Sequence, residues 1–162
     1  MFELVPKISN YLICFLMILL NLPVYEYNVK NIDGKTYVFD LIRKKYVVLT
    51  PEEWVRQHFV NYMTNHLNYP KTLIRTETGL KYNTRSKRTD IVLYDRIGKP
   101  WMVVECKSTE QKINQLTANQ VAVYNAAIKA KYIALTNGLV HLCWEVDHDK
   151  KTTLLLESFP NY

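Results

Sequence analysis

Glycine is scarce in this chain, with four among 162 residues. Loops that cradle a nucleotide's phosphates need several glycines at fixed spacing, so neither a P-loop nor a dinucleotide fingerprint can be built, and no nucleotide cofactor is expected. Cysteine is as sparse: Cys14, Cys106 and Cys143 include no C-x-x-C pair. That excludes a disulfide framework and a zinc knuckle, and Cys106 reads as a buried small hydrophobe. The four histidines are scattered without ligand spacing. Long apolar runs are missing too. Tyr11–Leu20 is largely apolar but spans only ten residues, about half of what a membrane-crossing helix needs. Asn21-Leu22-Pro23-Val24 supplies no small-x-small cleavage site. Residues 1–21 therefore read as a dispensable hydrophobic extension, including the case of an upstream start codon with the working protein beginning near Met17; a structural segment and an export or membrane-targeting segment are the alternatives. The expected location is cytoplasmic, without membrane association.

What is present describes an ordinary globular domain over residues 22–162. Hydrophobic residues make up 48% and charged ones 22%, enough for one real core. A net charge of +6 and a pI near 9.1 favour a polyanionic partner. Tyr25–Val29 and Thr36–Phe39 flank Asp33-Gly34, a two-residue hairpin signal, and Tyr46–Leu49 is a further short strand. Thr50-Pro51-Glu52-Glu53 announces a helix, with Thr50 as N-cap, Pro51 in the first turn and Glu53 closing a capping box. Trp54, Val55, His58, Phe59, Tyr62 and Leu67 continue it at helical spacing up to Pro70. Leu73–Tyr82 is strand-like, broken at Gly79.

Thr89–Lys107 organises the rest. Two apolar runs, Ile91–Tyr94 and Trp101–Val104, flank Asp95-Arg96-Ile97-Gly98-Lys99-Pro100 and read as a hairpin. Strand alternation puts Glu105 and Lys107 on one face, with Val104 and Cys106 on the other. Folding the hairpin back brings Asp90 beside them. Two carboxylates offer the hard oxygens that Mg²⁺ takes while keeping waters and phosphate oxygens as its other ligands. Bound there, the ion would polarise a phosphoryl group and lower the pKa of a water, and Lys107 would orient that water or neutralise developing charge. The plainer alternative is a surface ion pair between Glu105 and Lys107, worth about 0–1 kcal/mol.

Upstream, Lys71, Arg75, Lys81, Arg85, Lys87 and Arg88 outnumber the single acid Glu77 and lead into Asp90. This is either a solvated charged loop or a phosphate-binding stretch. Downstream, Ile113, Leu116, Gln120, Val123 and Ala127 fall on one helical stripe, with Tyr124 a turn beyond Gln120. A glutamine on an apolar stripe needs partners. Either backbone satisfies it or this face looks onto the carboxylate site. Tyr132–Leu135, Val140–Val146 and Thr152–Leu156 read as strands, with Asn137-Gly138 turning between the first two. The sum is an α/β core around a mixed sheet flanked by helices, in αβββαβ order behind an N-terminal hairpin.

Asp90 … Glu105-Cys106-Lys107 followed by Gln120-Val-Ala-Val-Tyr124 resembles the PD-(D/E)xK nuclease superfamily, in particular its RecB-like branch with a Q-x-x-x-Y helix. Thr50-Pro-Glu-Glu-Trp-Val-Arg-Gln and Lys87-Arg-Thr-Asp-Ile-Val further resemble the N-terminal nuclease domain of type I restriction enzyme R subunits. The likeness covers about residues 22–150. It implies a restriction-endonuclease-like core and a Mg²⁺-dependent DNA endonuclease of restriction or repair type, with Mn²⁺ able to substitute. It implies Asp90, Glu105 and the Cys106 carbonyl as metal ligands, with Glu53 as a secondary candidate from the first helix. Lys107 would position or activate the water, Gln120 and Tyr124 would orient the site, and Lys81, Arg85, Lys87 and Arg88 would contact DNA. Thr89 stands where the family's proline often does. No helicase motor is present, so the expected partners are DNA and a separate motor or specificity subunit, or a second copy of the chain, unless the nuclease stands alone. The alternative reading is a non-catalytic DNA-binding module on the same fold.

Overall fold

The computed structural model describes residues 19–82 and 85–162, with residues 77–82 and 85–88 described by backbone alone. Most of the predicted N-terminal extension, including Tyr11–Met17 of its apolar run, lies outside the described residues, as do the side chains of Lys81, Arg85, Lys87 and Arg88.

A small antiparallel sheet comes first: β1 (Val29–Ile32), β2 (Lys35–Asp40) and β3 (Lys45–Val48), in that order. Asp33 and Gly34 both take positive φ, 49° and 74°, as a tight hairpin turn requires. The first strand starts later than its sequence suggests, because Tyr25 and Tyr27 leave the ladder and stack edge-on against the His58–Trp54 region instead. Helix α1 (Pro51–Asn65) follows. Thr50 Oγ accepts from the Glu53 amide at 3.1 Å, but the Glu53 carboxylate does not close the box; it turns to Arg43, Arg56 and Gln57.

The main sheet has six strands in sequence order: β4 (Ile74–Tyr82), β5 (Arg85–Tyr94), β6 (Pro100–Cys106), β7 (Tyr132–Thr136), β8 (His141–Asp147) and β9 (Thr152–Leu155). Among the described strands only β6 and β7 run parallel, and α2 (Gln115–Ile128) connects them. The mixed sheet and the αβββαβ order are as the sequence suggests, and the fold is a mixed α/β core. One expected break is absent: β4 runs through Gly79, which pairs with Arg88.

Strand alternation divides the core into two layers. Ile91, Leu93, Met102, Val104, Cys106 and Ala134 face α1, where Val55, Phe59 and Met63 meet them. Val92 and Val103 pack with Ile128, and Ile133 and Leu135 with Val121, under α2. Cys106 is fully buried, as a small hydrophobe would be.

Two elements depart from the sequence reading. The predicted stripe of α2 faces outward: Leu116 and Val123 are 72% and 71% exposed, and Gln120 is exposed. The buried positions are Val121, Asn125 and Ile128, about a third of a turn around the helix from that stripe. Asn125 fits an apolar interface because its amide exchanges hydrogen bonds with both backbone groups of Ala130 at 2.9 Å. The inward face thus carries a polar residue beside Val121 and Ile128, while Leu116 and Val123 stand on the outward one.

The second departure is at the N-terminus. Leu20 and Leu22 are buried in the α1-side cluster, and the Asn21 amide donates to the Gly138 carbonyl at 2.8 Å. Part of the segment read as an extension therefore belongs to the core. Gly138 is required where they meet: its φ is +82°, and a Cβ there would lie 2.7 Å from Leu20 Cδ2 and 3.1 Å from Val55 Cγ2.

Candidate active site

The antiparallel register pairs Ile91 with Val104; carried one residue further, it sets Asp90 opposite Glu105. Both stand where β5 begins and β6 ends, beside the C-terminal end of the parallel β6–β7 pair. The Lys107 amide extends that pairing by donating to the Thr136 carbonyl at 2.8 Å. The Cys106 amide donates to Asp90 Oδ2 at 2.7 Å, so the strand backbone itself orients that carboxylate. On Glu105, Oε1 receives the Lys107 ammonium at 2.6 Å.

Helix α1 supplies the third side. Arg56 is buried, and its Nη2 reaches Asp90 Oδ1 at 2.8 Å and Glu52 Oε1 at 3.0 Å. Its Nη1 pairs with Glu53 Oε2. Behind it, Arg43 Nη2 holds Glu53 Oε1 at 2.7 Å, and Gln57 Nε2 bridges Glu53 Oε1 and Asp40 Oδ2 at 2.7 and 2.9 Å. An ionic chain thus runs from the small sheet through α1 to the carboxylate pair.

The electrostatics follow from burial and crowding. Burial, then the Asp90 charge, pushes the Glu105 carboxyl above its ordinary range. The same two causes raise Glu52, against the opposing charges of Arg56 and Lys107. For Lys107, burial favours the neutral amine, but the hydrogen bond and charge of Glu105, with Asp90 and Glu52 beyond, outweigh it and hold the ammonium charged. Arg56 is held charged likewise, chiefly by Asp90 and Glu53.

Asp90, Glu105 and Lys107 are therefore brought together. Glu53 is engaged on both oxygens by Arg43, Gln57 and Arg56, and Glu52 is the α1 carboxylate whose charge is felt at Glu105 and Lys107. Gln120 is exposed on the flank of α2, with no hydrogen bond to the carboxylate pair among the described residues, and Tyr124, one turn on, is half-buried. Lys81, Arg85, Lys87 and Arg88 lie on the paired strands of the β4–β5 hairpin that leads into Asp90, in the registers Leu80↔Lys87, Gly79↔Arg88 and Tyr82↔Arg85. Sequence reasoning missed Arg56. Its spacing from Glu52 and Glu53 is a legible i,i+4 and i,i+3 signal, but its partner Asp90 is 34 residues away.

The donor set suits a hard divalent cation. Among the described residues no three His, Cys, Asp or Glu groups form a closed cage. Asp90 and Glu105 are two crowded carboxylates, the second made harder to ionise by burial and by the first, and such hard oxygens could hold a divalent ion that keeps waters as its other ligands.

A mixed α/β sheet with an acid–acid–lysine group at the edge of its parallel strands is what the chain presents. Residues 51–160 match the family model described as type I restriction enzyme R protein N terminus, and the chain belongs to that family. Among solved structures, it is similar to a fragment described as an HsdR subunit of a type I restriction enzyme from Vibrio vulnificus YJ016, at 25% identity over 54% of this chain, with a TM-score of 0.40. The matched part is 19% of that fragment, so the chain spans about a fifth of its length, and the family match carries the assignment. Nothing among curated proteins matches. Among the described residues, no helix is long and apolar enough to cross a membrane.

Proposed function

We propose that this chain is a Mg²⁺-dependent deoxyribonuclease that hydrolyses DNA phosphodiesters, acting in restriction with a separate motor or specificity subunit, in the cytoplasm. The observation that carries the reading is the junction of Asp90 and Glu105 across β5 and β6 with the Lys107 ammonium 2.6 Å from Glu105. Asp90, Glu105 and the Cys106 carbonyl would hold the ion. When bound, Mg²⁺ supplies a polarised phosphoryl oxygen and a more acidic water. Asp90 is kept in place by the Cys106 amide and Arg56, so it need not reorganise when charge develops. Lys107 donates toward the attacked phosphate and offsets its growing negative charge. Gln120 and Tyr124 would border the bound strand from α2, and the basic residues of the β4–β5 hairpin would hold the backbone without reading sequence.

The test is to incubate the purified chain with supercoiled plasmid and with linear single-stranded DNA, in Mg²⁺, Mn²⁺ or EDTA. Nicking in either metal and none in EDTA is expected. Tight DNA binding with no cleavage in any metal would instead establish a non-catalytic DNA-binding module. That second reading draws on the same geometry, since Asp90 and Glu105 already have cationic partners within the chain.

A further inference from the structure

Arg56 does at Glu52 and Asp90 what a bridging metal ion does at two carboxylates. A single nitrogen, Nη2, lies 3.0 Å from Glu52 Oε1 and 2.8 Å from Asp90 Oδ1, joining the first helix to the sheet. The other terminal nitrogen is taken by Glu53. The side chain is 6% exposed, and so is that of Glu53, while Asp90 is 13% exposed. A guanidinium so enclosed has few other rotamers, and the Arg43–Glu53 pair behind it fixes the one it has. Removing one partner of a buried ion pair leaves an uncompensated charge, so this cation cannot simply leave to admit another.

We propose that Arg56 is a resident cation occupying the bridging position between Glu52 and Asp90, so that this site takes one divalent ion, between Asp90 and Glu105, and not two. The inference rests on the metal-dependent nuclease reading and adds its ion count. It also assigns Glu53 a different part: that carboxylate, once a candidate ligand, is the clamp that orients the guanidinium. Arg56 is thus a positioning residue, acting on the reacting atoms through Asp90.

The prediction concerns stoichiometry, so it is read without reference to cleavage. The full-length chain is titrated with Mn²⁺, and bound ion per chain is followed by electron paramagnetic resonance, for wild type, Arg56→Met and Arg56→Lys, with circular dichroism verifying the fold. Wild type is expected to bind one Mn²⁺ per chain, with no spin–spin coupling between ions at saturation. Arg56→Met, which removes the cation between Glu52 and Asp90 while Arg43 still pairs with Glu53, should bind a second ion at concentrations where wild type binds one. Arg56→Lys, which keeps the charge, should return to one. Two coupled ions in wild type would overturn the proposal, and that result needs no variant to fold. One ion in wild type and still one in a folded Arg56→Met would overturn the role of Arg56 while leaving the metal site standing. No ion in wild type would contradict the metal-site reading itself, and the inference with it.

Discussion

Lys107 and Gly138 carry the two sharpest demands at the scale of single residues. Lys107 sits 2.6 Å from Glu105 and is held charged there. In the proposed reaction its charge would matter most in the transition state, where groups aimed at developing charge are commonly worth about 10²–10³ in rate. Lys107→Ala should therefore reduce plasmid nicking by about that factor while leaving DNA affinity nearly unchanged, since most non-specific affinity comes from cations along the backbone. A mutant nicking at the wild-type rate would return Glu105–Lys107 to a surface pair. Gly138 is a structural counterpart. Any side chain there meets Leu20 and Val55 while holding a positive φ. Gly138→Ala should lower unfolding stability by about 1–3 kcal/mol, measured by urea titration.

At the scale of elements, the two helices obeyed different rules. For α1, the cap and the apolar spacing were legible because both are local: Thr50 caps it, and Val55, Phe59 and Met63 enter the core. What could not be read was that Glu53, Arg56, Gln57 and Asn61 are buried too. Their burial depends on other parts of the chain, as when Asp40 of β2 and Asp90 of β5 meet Gln57 and Arg56. For α2 the apolar period was real but pointed outward, and Asn125 took the inward position through its bonds to Ala130. Periodicity gives the helix; which stripe is buried follows from neighbours absent from the local pattern. This has a direct check. Leu116→Gln and Val123→Gln should change stability by no more than about 0.5 kcal/mol, whereas Ile128→Ala should cost about 2 kcal/mol or more.

Two histidines make the packing around α1 sensitive to pH. His58 lies against Trp54, its Nδ1 2.9 Å from the Trp54 carbonyl, and His141 lies 2.7 Å from Thr136 Oγ and 2.9 Å from the Asn21 carbonyl. Burial depresses both below the ordinary 6.5. In the unfolded chain both take up protons as the pH falls through that value, while in the fold they stay neutral. Stability contributed above pH 6.5 is therefore lost progressively below it, until the folded-state values are passed. The urea midpoint should fall over that range in wild type and fall less in His58→Gln.

Across the whole molecule, the β5–β6 hairpin does what the sequence suggested: it folds two distant carboxylates onto one edge of the sheet. The strand spacing made that much legible. The support behind it was not, because an ionic chain from Asp40 through Arg43, Glu53 and Arg56 to Asp90 joins residues with no common period. The proposed function turns on Asp90 and Glu105, which together would hold the divalent ion that drives cleavage. The most direct measurement is nicking of supercoiled plasmid at fixed salt and Mg²⁺ by wild type and Glu105→Gln, with EDTA controls and DNA affinity measured in parallel. Metal-dependent nicking by wild type, and none by Glu105→Gln at unchanged DNA affinity, is the predicted result. Nicking by Glu105→Gln at the wild-type rate, or by wild type in EDTA, would contradict it.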